Sequence, residues 1–178
     1  GRLVEVKGVL ELVKAIKSID NEHIKLLIVG SSNFANAKKN EYILNLEKEI
    51  EICKDRVQFT GYINNADLYK YYELIDVLCV PSIWNEAAGL TAIEGMASSK
   101  PLIVTNNGGL PEYICKDGAI VLKTDKNFIN NLKEAIISLY QDKKSCEEMG
   151  RNNLLESKKY DYLKFYQNFV NIINNYKD

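Results

Sequence analysis

Residues 81–97 read PSIWNEAAGLTAIEGMA, with Glu86 and Glu94 separated by seven residues around a small, glycine-bearing bend. The run VLCVP at 77–81, closed by Pro81, has the pattern of a buried strand, and 90–98 carries helical spacing with one apolar face. Strand, bend and helix in that order put Glu86 on the loop at the carboxyl end of a strand. They put Glu94 inside the first turns of the helix that follows. In open α/β sheets that rim is where ligands bind.

Outward from this stretch, short apolar runs alternate with amphipathic segments, the pattern of a mostly parallel sheet covered by helices. Strands are expected at 24–30 (IKLLIVG), 57–60 before Gly61, 77–80, 102–105 (LIVT) and 119–122 (AIVL). Helices are expected at 9–19, 41–53, 66–74, 90–98, 128–140 and 160–176. The fold class is therefore α/β: a doubly wound, mostly parallel sheet with helices on both faces, in one domain over 1–178. Residues 1–3 look like a loop leaving a strand that would lie upstream. The first strand of a doubly wound sheet is central, so the chain is expected to be a piece of a longer protein, or another segment fills the gap.

Composition narrows the function. Apolar residues make up 46% and charged residues 26%, ordinary values for a globular domain, and the formal net charge of -1 provides no positive field to gather nucleic acid. Cys53, Cys79, Cys115 and Cys146 are widely spaced with no C-x-x-C pair, so reduced, mostly buried thiols of a cytosolic protein are expected rather than a metal site or disulfide framework. No apolar run reaches the roughly 20 residues that span a bilayer. The aromatic residues of 160–176 have helical spacing and are expected to pack on the domain itself. A membrane-surface role for that helix is disfavoured by a polar face short of cations.

The chemistry follows from the bend. Ala87, Ala88 and Gly89 leave room for a ligand near the backbone, and the amides that open a helix have no partner inside it. Those amides and the helix dipole favour a phosphate, while a carboxylate can accept from sugar hydroxyls on the same ligand. Arg2 and Lys7 flank a tight loop, with Gly8 opening a helix behind them. Two cations there suit a diphosphate. No Asp-x-Asp pair offers a metal a seat, so the cations would take that role and no metal cofactor is expected. The plain alternatives are a surface position for Glu94, a loop or capping role for Glu86, and solvated cations at Arg2 and Lys7.

In order, GRLVEVKG (1–8), LLIVGSS (26–32), VQFTGYI (57–63) and DVLCVPSIWNEAAGLTAIEGMASSKPLIVTNNGGLPEYI (76–114) resemble the GT-B-fold, retaining nucleotide-sugar glycosyltransferases of family 4, also called group 1. The likeness runs over essentially the whole chain but only over the C-terminal, donor-binding half of such an enzyme. It implies a Rossmann-like half of a GT-B enzyme, with a nucleoside-diphosphate sugar as donor substrate. By the same resemblance, Glu86 contacts the transferred sugar, Glu94 the ribose hydroxyls, and Arg2 and Lys7 the diphosphate. The amides of Gly89, Leu90 and Thr91 anchor the phosphate, and Gly61 and Tyr62 sit where the base is held. The family's Gly and aromatic residue are replaced here by Ala87-Ala88, which bears on the shape around the donor sugar.

The acceptor-binding N-terminal domain, which in many members supplies a histidine, is not matched, and the single histidine, His23, lies in a polar turn. The resemblance implies a glycan or lipid-linked acceptor reached through that domain, a cytoplasmic enzyme at the inner face of the membrane, and a domain that binds donor but transfers little sugar alone. Residues 106–112 make a flexible loop beside the site. Two alternatives stay open: a glycoside hydrolase, whose paired carboxyl groups stand about 5–10 Å apart, and a catalytically inactive nucleotide-sugar binding or regulatory module.

Overall fold

Helix α1 (Val9–Ser18) starts on Gly8, whose left-handed backbone (φ 67°) costs other residues strain. Its buried residues Leu12, Val13, Ala15 and Ile16 fall on one helical face. In this computed structural model, which describes residues 1–31 and 41–175, strands and helices then alternate. They are β1 (Leu26–Val29), α2 (Glu41–Ile52), β2 (Val57–Gly61), α3 (Leu68–Leu74), β3 (Leu78–Val80), α4 (Leu90–Ala97), β4 (Leu102–Thr105), β5 (Ala119–Leu122), α5 (Phe128–Gln141), α6 (Lys143–Ser157) and α7 (Tyr162–Asn175). Ser32, the last residue of LLIVGSS, and Tyr176, the end of the last expected helix, lie outside the described residues.

Among the described residues every strand ladder is parallel, as expected of an α/β fold, but the strands form two sheets: β1 with β2, and β3–β4–β5 in that order. Among the described residues no ladder joins β1 to β3. Residues 1–8 instead tie the carboxyl ends of the two sheets together. Arg2 bridges Ser31 in parallel and the Leu3 amide donates to the Ser31 carbonyl at 3.2 Å, while the Ile83 amide donates to the Val6 carbonyl at 3.0 Å. Burial follows pairing: β4, flanked on both sides, is buried at all four residues, whereas β3 is half-buried throughout.

Side-chain alternation along β4 shows both faces covered. Ile103 packs with Leu12 and Ala15 of α1 and Phe128, Leu132 and Leu139 of α5. Its neighbours Leu102 and Val104 pack on the opposite face with Ala92 and Met96 of α4. The four cysteines are free, and burial pushes the Cys79 thiol up to about 12. No described helix is long and apolar enough to cross a membrane.

Two features depart from expectation. Helix α6 lies in the stretch KKSCEEMGRNNLLES, where no helix is expected: only Cys146 and Met149 of it join an apolar cluster, and polar and glycine contacts complete its hold on the domain. Fully buried Asn153 donates from Nδ2 to the carbonyls of Lys100 and Gly118, each at 2.7 Å, and at Gly150 a Cβ would stand 2.3 Å from the Ser99 carbonyl oxygen. Helix α7 does not pack its aromatics on the domain. It has no buried residue, and Tyr162, Phe165 and Tyr166 are all exposed. Asp161 restarts the chain as a new helix, its Oδ1 accepting from the amides of Leu163 and Lys164.

Candidate functional site

Glu86 sits where three chain segments cross. Its Oε1 accepts from Ser82 Oγ at 2.7 Å and from Lys7 Nζ, and its backbone pairs with Gly108 and accepts from the Gly109 amide at 2.7 Å. Ser82 is itself buried, its carbonyl accepting from Thr105 Oγ1 at 2.6 Å and Asn107 Nδ2 at 2.9 Å. Burial alone would raise the Glu86 carboxyl. Hydrogen bonds from Lys7 and Ser82, with the charges of Lys7 and Arg2, outweigh it and hold the group below the ordinary glutamate range. The residues after β4 are tied rather than loose: a Cβ on Gly108 would stand 2.4 Å from the Glu86 carbonyl oxygen, and one on Gly109 2.4 Å from that of Ala87.

Helix α4 opens on Gly89 in the left-handed region (φ 66°), where a Cβ would stand 2.3 Å from Leu110 Cδ1. Its first backbone bond runs from the Ala92 amide to the Gly89 carbonyl at 2.8 Å. The amides of Leu90 and Thr91 therefore lie ahead of the helical ladder, on exposed residues. Glu94 is exposed farther along α4, with Oε2 accepting from Tyr72 Oη of α3 at 2.7 Å. The next residue, Gly95, lies so close to Leu78 and Leu102 that a Cβ would stand 2.3 and 3.0 Å from their side chains, which presses α4 onto the sheet.

The sequence-predicted residues thus gather at the carboxyl rim of the two sheets. Arg2 is exposed and its charge acts on Glu86, Lys7 is paired with Glu86, and Glu94 follows within α4. Gly61 bridges Gly30, where a Cβ would stand 1.9 Å from the Gly1 carbonyl oxygen. A groove of about 470 Å³ runs along α2, lined by Ile43, Leu46 and Ile50, and ends at Leu3, Gly30 and Gly61. Tyr62 joins them only through its backbone position, since it is 81% exposed. His23 stands in an exposed turn before β1, at the amino end of the strands, its amide donating to Asn21 Oδ1 at 2.9 Å.

Cations, free helix amides and two carboxylates on one rim suit a polyanion that also carries hydroxyl groups. Among the described residues no group of three or more His, Cys, Asp or Glu stands together as a metal seat. Sequence reasoning missed Ser82, Thr105 and Tyr72, and gave Asn107 only a place in the neighbouring loop. Ser82 belongs to the quoted PS pair and could have been singled out from it. The other three act across gaps of 22 to 25 residues that no local pattern records.

The model of the family "Glycosyl transferases group 1" matches residues 1–155. An uncharacterized glycosyltransferase of Methanocaldococcus jannaschii is 33% identical over 164 residues, covering 92% of this chain and 43% of that protein. The Anabaena protein HepE, solved in complex with UDP, superposes with a TM-score of 0.86 at 20% identity, over 98% of this chain and 47% of that one. The C-terminal domain of a glycosyl transferase group 1 family protein from Francisella tularensis superposes with a TM-score of 0.78 at 22% identity, over 91% of this chain and 84% of that one. These last two likenesses concern the fold. The chain spans less than half the length of the curated relatives it matches. The match sets aside the glycoside hydrolase alternative, and with the model covering 155 of 178 residues, the chain belongs to the group 1 glycosyl transferases.

Proposed function

We propose that this chain is the donor-binding domain of a retaining glycosyltransferase that moves a sugar from a nucleoside diphosphate to a glycan or lipid-linked acceptor. Arg2, Lys7 and the amides of Gly89, Leu90 and Thr91 neutralise the diphosphate, and Glu94 accepts from the ribose hydroxyls. Glu86 accepts from the hydroxyls of the transferred sugar, and the backbone at Gly61 and Tyr62 borders the base. The observation that carries this reading is the meeting of Arg2, Lys7 and Glu86 in one charge cluster on the rim where α4 begins. A UDP complex of a protein with the same fold supports it.

In the transfer, the bond between the anomeric carbon and the β-phosphate oxygen breaks with its electron pair going to that oxygen. The acceptor hydroxyl bonds to the same face of the carbon and passes its proton to the departing phosphate. Charge grows on the diphosphate, so fixed donors at Arg2, Lys7 and the helix start stabilise the transition state more than the ground state. In this proposal no metal is needed, the acceptor is held by a further domain, and the enzyme works in the cytoplasm at the membrane's inner face.

The test is calorimetry with UDP, GDP and ADP. Arg2→Ala and Glu94→Ala are each expected to weaken the best nucleotide by about tenfold or more, as loss of a hydrogen bond to a charged group does. Unchanged binding in both variants overturns the assignment. An inactive binding module predicts the same affinities, so sugar transfer by the longer protein separates the two.

A further inference from the structure

We infer that Tyr72 is the positioning residue that makes Glu94 select a ribonucleotide, and the inference rests on the assignment of Glu94 to the ribose hydroxyls. The two groups belong to different helices, Tyr72 to α3 and Glu94 to α4, and meet through one hydrogen bond of 2.7 Å from Oη to Oε2. The backbone of Glu94 is held by its neighbour: Gly95 is the close contact that seats α4 on Leu78 and Leu102. The side chain is not held in that way. It is exposed, with three rotatable bonds, and an unrestrained carboxylate would sample many orientations before meeting a ligand.

Tyr72 removes that freedom from one oxygen only. Its ring is half-buried, and burial, followed by the hydrogen bond and charge of Glu94, pushes the phenol well above its ordinary range, so it remains a donor. With Oε2 accepting from the phenol, Oε1 keeps both lone pairs for hydroxyl donors. Two adjacent hydroxyls in the cis arrangement of a ribose can reach a carboxylate tethered at one oxygen, and loss of the 2′-hydroxyl leaves that arrangement incomplete. The Tyr72 bond therefore acts on ligand choice through Glu94, touching no ligand itself.

The experiment measures, by calorimetry, the affinity for UDP, GDP and ADP, then the ratio between the best of these and its 2′-deoxy counterpart. Wild type, Tyr72→Phe, Glu94→Ala and the double variant are compared, with thermal melts as a check on folding. Wild type is expected to prefer the ribonucleotide about tenfold, Tyr72→Phe to bring the ratio close to one, and the Phe substitution to change nothing further once Glu94 is Ala. Tyr72→Leu, a second side chain without a donor, is used if the Phe variant does not fold. A wild type that binds none of the three or does not discriminate overturns the Glu94 assignment and this inference with it. A wild type that discriminates while Tyr72→Phe keeps the same ratio overturns the Tyr72 inference alone. So does an equal loss of affinity on Tyr72→Phe in the Glu94→Ala background, which marks a merely structural tyrosine.

Discussion

The two glutamates eight positions apart are held in opposite ways. Glu86 is woven into the fold: its side chain meets Lys7 and Ser82, its backbone meets Gly108 and Gly109, and Ser82 is fixed in turn by Thr105 and Asn107. Glu94 projects from a regular helix, and among the described residues its carboxylate hydrogen-bonds to Tyr72 alone. The difference teaches that position along a motif does not set how strongly a residue is coupled to stability. A change at the Glu86 end disturbs the seam between the two sheets, and a change at the Glu94 end alters the surface of one helix.

The largest effect is expected at Gly8, where residues 1–8 meet the end of β3 closely. A Cβ there would stand 1.9 Å from the Pro81 carbonyl oxygen, on a backbone already at φ 67°. Gly8→Ala is expected to cost about 3–4 kcal/mol in urea unfolding, combining left-handed strain with displacement of backbone. Gly61 shares the positive φ but has open space around it, so Gly61→Ala is expected to cost only the strain, about 1–2 kcal/mol. Equal losses at the two glycines would break the comparison, because they would show that residues 1–8 move aside freely.

Ser82→Ala comes next. It removes a buried donor to a carboxylate and is expected to lower stability by about 1.5–3 kcal/mol. Tyr72→Phe at the other end is expected to cost about 0.5–1 kcal/mol. A loss at Tyr72 matching that at Ser82 would erase the contrast between the two glutamates.

A gentler probe is pH. The folded Glu86 carboxyl lies below its unfolded value, so its contribution to stability is complete above the ordinary glutamate pKa near about 4.3. It is lost as pH falls through the folded value. Urea unfolding of wild type and Glu86→Gln between pH 3 and 7 is expected to give a stability difference that shrinks on the acid side. A difference constant with pH would mean that the Lys7 and Ser82 contacts do not bind the carboxylate form selectively.

What was legible in the chain follows the range of the interactions. The alternation of strands and helices, the start of α4 at Gly89 and the place of Glu86 on a rim loop all rest on neighbours within a few residues, where apolar spacing and glycine are direct signals. Helix α6 escaped because its inner face, Cys146, Met149, Gly150 and Asn153, mixes a thiol, a glycine and an amide with one methionine, so its apolar signal is weak. The apolar spacing of α7 gives its helix but not its packing, since spacing defines a face without saying what meets it.

The order of residues by itself determined the α/β alternation, the rim position of the two glutamates and the pairing of small residues with a helix start, because each depends on local backbone geometry. Tertiary structure alone decided that the strands fall into two parallel sheets joined by residues 1–8, that Lys7 and Ser82 share one oxygen of Glu86, and that Tyr72 reaches Glu94. Those outcomes depend on which distant segments come within about 3 Å of each other, a distance set by the packing of helices on both faces of the strands.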